Sequence, residues 1–215
     1  NAHEHTVDLT NTNDKIEGGS GTNHLYGNGG NDVFGEQDNS AANYMYGGDG
    51  NDTYYLNSSW SRVNEEQDEG TDTVISKILN GTTTLTYNLN ENVENLTLVG
   101  TYANDASGNS LNNIIQGEGS ISYTLRGGDG DDTLKGNNQD DVLDGEVGAD
   151  TMIGYGGNDT YTVDDAGDDV QESSGQGNDS VTSSITYTLP SQVENLTLTG
   201  SASDGTGNNR DNTII

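Results

Sequence analysis

Residues 127–163 contain four nine-residue units laid end to end, reading GGDGDDTLK, GNNQDDVLD, GEVGADTMI and GYGGNDTYT. Aspartate holds the sixth place each time, as Asp132, Asp141, Asp150 and Asp159, and an apolar residue follows two places later, as Leu134, Leu143, Met152 and Tyr161. Glycine accepts positive φ, so successive backbone carbonyls in such a turn can face a common point. The sixth-place carboxylate adds a charged oxygen. An oxygen-only donor set of about six to eight atoms suits Ca²⁺ better than Mg²⁺, which requires a tight octahedron and retains water.

A second array precedes this one. It enters through Asn13-Asp14-Lys15-Ile16-Glu17 and continues as GGSGTNHLY at 18–26 and GNGGNDVFG at 27–35. A unit lengthened by two residues follows at 36–46, and then GGDGNDTYY at 47–55. The candidate metal ligands in this array are Asp14, Gly18, Gly19, Gly21, Asn23, Gly27, Gly29, Asp32, Gly47, Gly48, Gly50 and Asp52. In the other array they are Gly127, Gly128, Gly130, Asp132, Gly136, Asn138, Asp141, Gly145, Gly148, Asp150, Gly154, Gly156 and Asp159. Asn or Ser at the sixth place (Asn23, Asn43, Asn113, Ser122, Asn212) predicts weak sites or none.

A fixed period of nine is a repeat architecture in which each unit buries its apolar residue only by stacking on neighbours. Alternating Thr, Val, Tyr and Leu favours strands, and frequent Gly and Asn disfavour long helices. The expected fold is all-β: a parallel β-roll or β-solenoid with calcium in the turns, interrupted by longer irregular β segments. Two units make one coil, and Ile16, Leu25, Phe34, Met45 and Tyr54 point inward in the first array. Units on one edge are two apart, so one ion should join the turns of Asp132 and Asp150, and another those of Asp141 and Asp159. Asp14 pairs with Asp32, and Asp32 should face Asp52 less regularly because of the two-residue insertion.

The organisation reads as a first array at 13–56, a linking β segment at 57–107, a second array at 108–164, a linking β segment at 165–206 and the start of a truncated third array at 207–215. The two linking segments match each other. Val93-Glu94-Asn95-Leu96-Thr97-Leu98 recurs as Val193-Glu194-Asn195-Leu196-Thr197-Leu198, and Asp72-Thr73-Val74 answers Asp179-Ser180-Val181. A repeat of roughly one hundred residues therefore contains the repeat of nine.

Composition conditions this fold. Of 215 residues 36 are acidic and 6 are Lys or Arg, a net charge of −30, and only 28% are hydrophobic. Such a balance ordinarily keeps a chain disordered, so a compact state is expected to need divalent cations. The lack of cysteine excludes disulfides, zinc–thiolate sites and thiol nucleophiles. Six scattered cations build no nucleic-acid surface, and no apolar run reaches membrane-span length.

The units resemble the GGxGxDxUx nonapeptides of RTX (repeats-in-toxin, haemolysin-type) calcium-binding proteins, and YNLNENVENLTLVG and YTLPSQVENLTLTG resemble spacers between such arrays in large secreted bacterial proteins. The resemblance implies a parallel β-roll with several Ca²⁺ ions in its turns and type I secretion to the outside or the cell surface. The chain reads as a fragment of something longer, since it stops inside a repeat.

Other chemistry is thin. His3-Glu4-His5 lacks the second histidine of HExxH, no GxSxG elbow exists, and acid pairs such as Glu65/Glu66 and Asp168/Asp169 follow from composition. No enzyme is expected. Tyr54, Tyr87, Tyr161 and Tyr187 read as core-edge packing, and Trp60 is the best candidate for an exposed contact with a surface glycan or cell-surface partner. The expected function is an extracellular calcium-binding structural module that folds after secretion, as scaffold, adhesin, surface-layer or filament subunit with head-to-tail self-association. The alternative is a non-catalytic module of a secreted lipase, protease or polysaccharide-modifying enzyme.

Overall fold

The computed structural model describes residues 5–37, 42–77, 86–100, 105–200, 202 and 204–215. His3 and Glu4 lie outside them. Among the described residues there is no helix, and every strand pairing is parallel. Successive strands alternate between two faces, so neighbours in a sheet are next-but-one in the chain.

One face is a nine-stranded sheet: Lys15–Gly18, Val33–Glu36, Thr53–Leu56, Thr73–Ser76, Asn95–Val99, Ile114–Glu118, Thr133–Lys135, Thr151–Tyr155 and Asp169–Glu172. The other face begins with four strands, His5–Asp8, Asn23–Gly29, Asn43–Asp49 and Arg62–Asn64. It continues with eight, Thr86–Asn88, Asp105–Ser107, Thr124–Asp129, Val142–Val147, Thr160–Val163, Ser180–Ser183, Asn195–Leu198 and Thr213–Ile214. Tyr187–Thr188 pairs separately with Gly205–Thr206. The chain is a parallel β-solenoid.

Register follows from the period. Leu134 pairs with Met152 and Leu143 with Tyr161, each eighteen positions apart, so two nine-residue units close one coil. The two extra residues near 36–46 stretch that coil to twenty, and Phe34 still pairs with Tyr54 in phase. The segments between arrays carry on the stacking: Thr73–Ser76 lies between Thr53–Leu56 and Asn95–Val99 in one unbroken sheet.

The core is a single file of side chains between the faces. Ile16, Leu25, Phe34, Met45 and Tyr54 are buried, as are Ile115, Leu125, Leu134, Leu143, Met152 and Tyr161. A strand places alternate residues on opposite sides, so Leu134 alone points in from Thr133–Lys135, and Tyr161 and Val163 both point in from Thr160–Val163. Phe34 stacks on Tyr54 with ring centroids 4.8 Å apart. Tyr87 and Tyr187 pack against this file from its margin, and Trp60 is 69% exposed.

The hundred-residue repeat meets the coil with a twist the sequence did not announce. Thr73–Ser76 and Ser180–Ser183 are separated by eleven strand steps, as are Asn95–Val99 and Asn195–Leu198. Eleven is odd, so matched strands fall on opposite faces of the solenoid.

Close approach between coils rests on glycine at the fourth place. Gly50 has φ +134°, and a Cβ built there would fall on the carbonyl of Gly30 one coil below; Gly148, at φ +148°, stands the same way over Gly130. Gly50→Ala therefore combines a disfavoured backbone with a clash against backbone. It is expected to lower stability by more than about 1 kcal/mol, read as a drop in thermal midpoint at saturating Ca²⁺. An unchanged midpoint would contradict the stacking geometry.

Candidate metal-binding turns

The sixth-place aspartates stand in two columns, one along each edge of the coil. In each rung the backbone N–H of one residue donates to Oδ1 of the aspartate one coil later. On one edge Asp14 donates to Asp32 at 2.7 Å, Asp32 to Asp52 at 2.6 Å and Asp52 to Asp72 at 2.8 Å. Further along it Asn113 donates to Asp132 at 2.6 Å and Asp132 to Asp150 at 2.8 Å. On the other edge Asp141 donates to Asp159 at 2.8 Å and Asp159 to Asp179 at 2.9 Å. The Asp32–Asp52 rung is as short as its neighbours, so the insertion leaves this contact regular, against the sequence-based expectation.

One oxygen of each aspartate is thus accounted for. The other is not. Oδ2 of Asp32, Asp52, Asp132, Asp150 and Asp159 is buried with no hydrogen-bond partner. Leaving a charged acceptor dry and unpaired is strongly unfavourable, and five such atoms at one repeat position point to a missing cationic partner.

The glycine that opens each unit marks where that partner would sit. A Cβ on Gly27 would fall on Asp32 Oδ2 and within 2.7 Å of the Gly47 carbonyl; on Gly127 it would fall on Asp132 Oδ2 and within 2.5 Å of the Gly145 carbonyl. A carboxylate oxygen and a carbonyl from the next coil converge on a space that only glycine leaves open. These are hard oxygen donors with a net negative charge, so the residues present fit Ca²⁺.

Burial pushes the aspartates upward in pKa, and neighbouring carboxylates push the same way: Asp52 and Asp150 to about 6, Asp132 to about 7 and Asp159 to about 8. Asp32 and Asp141 are also raised, mainly by burial.

Not every turn in the sequence-based ligand set has this form. The turn of Gly18, Gly19, Gly21 and Asn23, where Asn at the sixth place predicts a weak site or none, is closed by an amide instead. The Asn23 amide donates to the carbonyls of Gly19 (2.9 Å) and Gly21 (3.1 Å), and the Asn43 side chain fills the space over Gly18. A neutral amide N–H does there what a cation would do elsewhere. Asn113 and Asn212 likewise donate to the carbonyls of Val93 and Glu94, and of Val193 and Glu194.

Asp141 is intermediate: its Oδ2 accepts the N–H of Asn137 at 2.6 Å, although the Gly154 carbonyl lies 3.0 Å from a Cβ on Gly136. Over Gly156 the nearest atoms are side-chain oxygens of Gln176 and Asn138. Around Gly29 they are Asn11 carbons and the Asp49 carbonyl.

Three groups escaped the sequence reading. Glu94 and Glu194 take rungs in the columns, accepting the N–H of Asp72 (2.7 Å) and Asp179 (3.0 Å) through Oε2. Their identical placement in the two VENLTL copies was the available signal. Tyr123 rather than Ser122 donates its N–H to Asp141 at 2.6 Å, because the unit at 117–126, GEGSISYTLR, is one residue longer than nine and shifts the phase by one. Fifth-place residues form a second ladder running the opposite way, in which Asn51 N–H donates to Asn31 (2.9 Å) and Asn158 N–H to Asp140 (2.7 Å). Substituents at that place vary too much for the pattern to show in one sequence.

A family model described as the RTX calcium-binding nonapeptide repeat matches residues 9–34, 37–58 and 126–161, in four copies. Neither a curated protein nor a solved structure matches the chain.

The raised carboxylates give a pH dependence with a definite sign. In the folded state they hold protons that the unfolded chain, near its ordinary value of 3.8, releases. Metal-free stability is therefore full below about pH 4 and is lost as pH rises through the folded values of about 6 to about 8. In chelator, β-structure by circular dichroism should be greater at about pH 5 than at about pH 8; equal or greater structure at the higher pH would overturn this assignment.

Proposed function

We propose that this chain, whose residues 9–34, 37–58 and 126–161 match RTX calcium-binding nonapeptide repeats, is a structural module that stays loose at low Ca²⁺ and coils when the ion fills its turns. Its place of work is outside the cell or on its surface, reached by type I secretion as an uncoiled chain, and its role is that of scaffold, adhesin, surface layer or filament. The observation that carries this reading is the set of five dry, partnerless Oδ2 atoms on the sixth-place aspartates Asp32, Asp52, Asp132, Asp150 and Asp159.

The ligand groups this reading assigns are Asp32 with Gly27 and Gly47, Asp132 with Gly127 and Gly145, and Asp150 with Gly145, the last marked by Asp150 Oδ2 in the space over that glycine. The carboxylate supplies charge; the glycines supply carbonyls and room. At net charge −30 each bound divalent ion also relieves self-repulsion, so binding free energy enters directly as folding free energy. Extracellular Ca²⁺ at millimolar levels suits extracellular modules, whose dissociation constants are on the order of 10⁻⁴–10⁻³ M. The same ion is far scarcer in the cytosol, and such a chain would remain threadable there.

Circular dichroism during Ca²⁺ titration of chelator-treated protein tests this directly. A cooperative coil-to-β transition is expected, with Mg²⁺ a poor substitute. Asp132→Ala should shift the midpoint to higher Ca²⁺, whereas Asp132→Asn, which can place an amide as Asn23 does, should shift it less. A chain fully structured in chelator at neutral pH would sink the reading.

A further inference from the structure

Two places differ in chemistry from the array turns, and both lie where an array runs into the segment that follows it. We propose that each holds one Ca²⁺ in a three-carboxylate pocket: Asp52, Glu65 and Asp72 at one, Asp159, Glu172 and Asp179 at the other. This rests on the array turns being Ca²⁺ sites only in taking the same ion.

Within each group, one ligand atom from every residue lies within 4.8 Å of the others. Proximity of acids alone would not distinguish a site, but the interior of these pockets does. Asp52 and Asp159 are each 1% exposed, and their Oδ2 atoms have no hydrogen-bond partner. A Cβ built on Gly47 would collide with Asp52 Oδ2 and the Tyr54 hydroxyl and lie 2.5 Å from Glu65 Oε1; on Gly154 it would collide with Asp159 Oδ2 and the Tyr161 hydroxyl and lie 2.6 Å from Glu172 Oε1. Both pockets thus converge three oxygens on a space held open by glycine, and Tyr54 and Tyr161 donate their hydroxyls to Glu65 and Glu172.

The glutamate explains the difference. Tyr46 pairs with Asn64, so Glu65 stands one coil beyond Gly47, where an array would present glycine and its carbonyl. Glu172 follows Gln171, which pairs with Ile153, and takes the equivalent place beyond Gly154 through a shift in register. A side-chain carboxylate replaces a neutral carbonyl, and the third acid comes from the next rung of the column. Neither Glu65 and Asp72 nor Glu172 and Asp179 fall inside the segments matched as RTX repeats.

The consequence is a junction. Asp52 belongs to the array, while Glu65 and Asp72 belong to the segment after it, so one ion fastens both. More carboxylate ligands favour tighter Ca²⁺ binding, so these two pockets fill before the array turns.

The test counts Ca²⁺ per full-length chain by native mass spectrometry across a Ca²⁺ titration. Wild type should show two ions bound first. E65Q and E172Q should each lose one of these, and E65Q/E172Q both, while later-filling ions remain. Equal counts in wild type and E65Q/E172Q would overturn the proposal and leave the array reading intact; no Ca²⁺ bound by wild type would overturn both. Should E65Q/E172Q fail to fold, Y54F/Y161F decides, since it keeps every carboxylate. Tyrosine-excited Tb³⁺ emission at the first equivalents falls in that variant if the ions sit beside these hydroxyls. Unchanged emission would mean that the first ions bind away from these hydroxyls and would overturn the proposal.

Discussion

Asp32, Asp52, Asp132, Asp150 and Asp159 each have two buried carboxylate oxygens and a hydrogen-bond donor for only one of them. Oδ1 takes the N–H of the neighbouring coil, while Oδ2 faces a dry space with nothing to bind. The stacking hydrogen bond draws the carboxylates into register one above another, and that same register aligns like charges along each edge. Packing and electrostatics are therefore opposed at the very contact that repeats. Their resolution, by proton, amide or divalent ion, decides whether the coil forms.

The chain uses more than one resolution. Asn23, Asn113 and Asn212 put an uncharged donor into the turn and satisfy carbonyls directly. Asp32, Asp132 and Asp150 keep a charged acceptor and an open space. The first kind is independent of the medium; the second responds to it. The two kinds of turn stand side by side along one solenoid, over a core to which every coil contributes a similar pair of inward residues.

The hundred-residue repeat adds a constraint of its own. Eleven strand steps separate its copies, so features on one face in the first copy appear on the opposite face in the second. The cluster of Asp52, Glu65 and Asp72 and that of Asp159, Glu172 and Asp179 consequently belong to the two different aspartate columns, one on each edge. A long chain of such repeats would present equivalent surfaces alternately on its two sides.

Much of this could be read from the chain itself. The period of nine, the apolar residue two places after the aspartate and the glycines determined a parallel coil with Leu134, Met152 and Tyr161 inside, because a side chain that must stack on its own copy fixes both register and direction. The turns of Asp32, Asp132 and Asp150 were legible for the same reason. Tertiary structure alone decided which oxygens are left over, that Asn23 closes its own turn, that Tyr123 and not Ser122 holds the rung, and that Glu65 reaches the space over Gly47. Those outcomes depend on what lies one coil away. A coil of eighteen, nineteen or twenty-two residues brings different neighbours to the same edge, and local spacing carries no record of that choice.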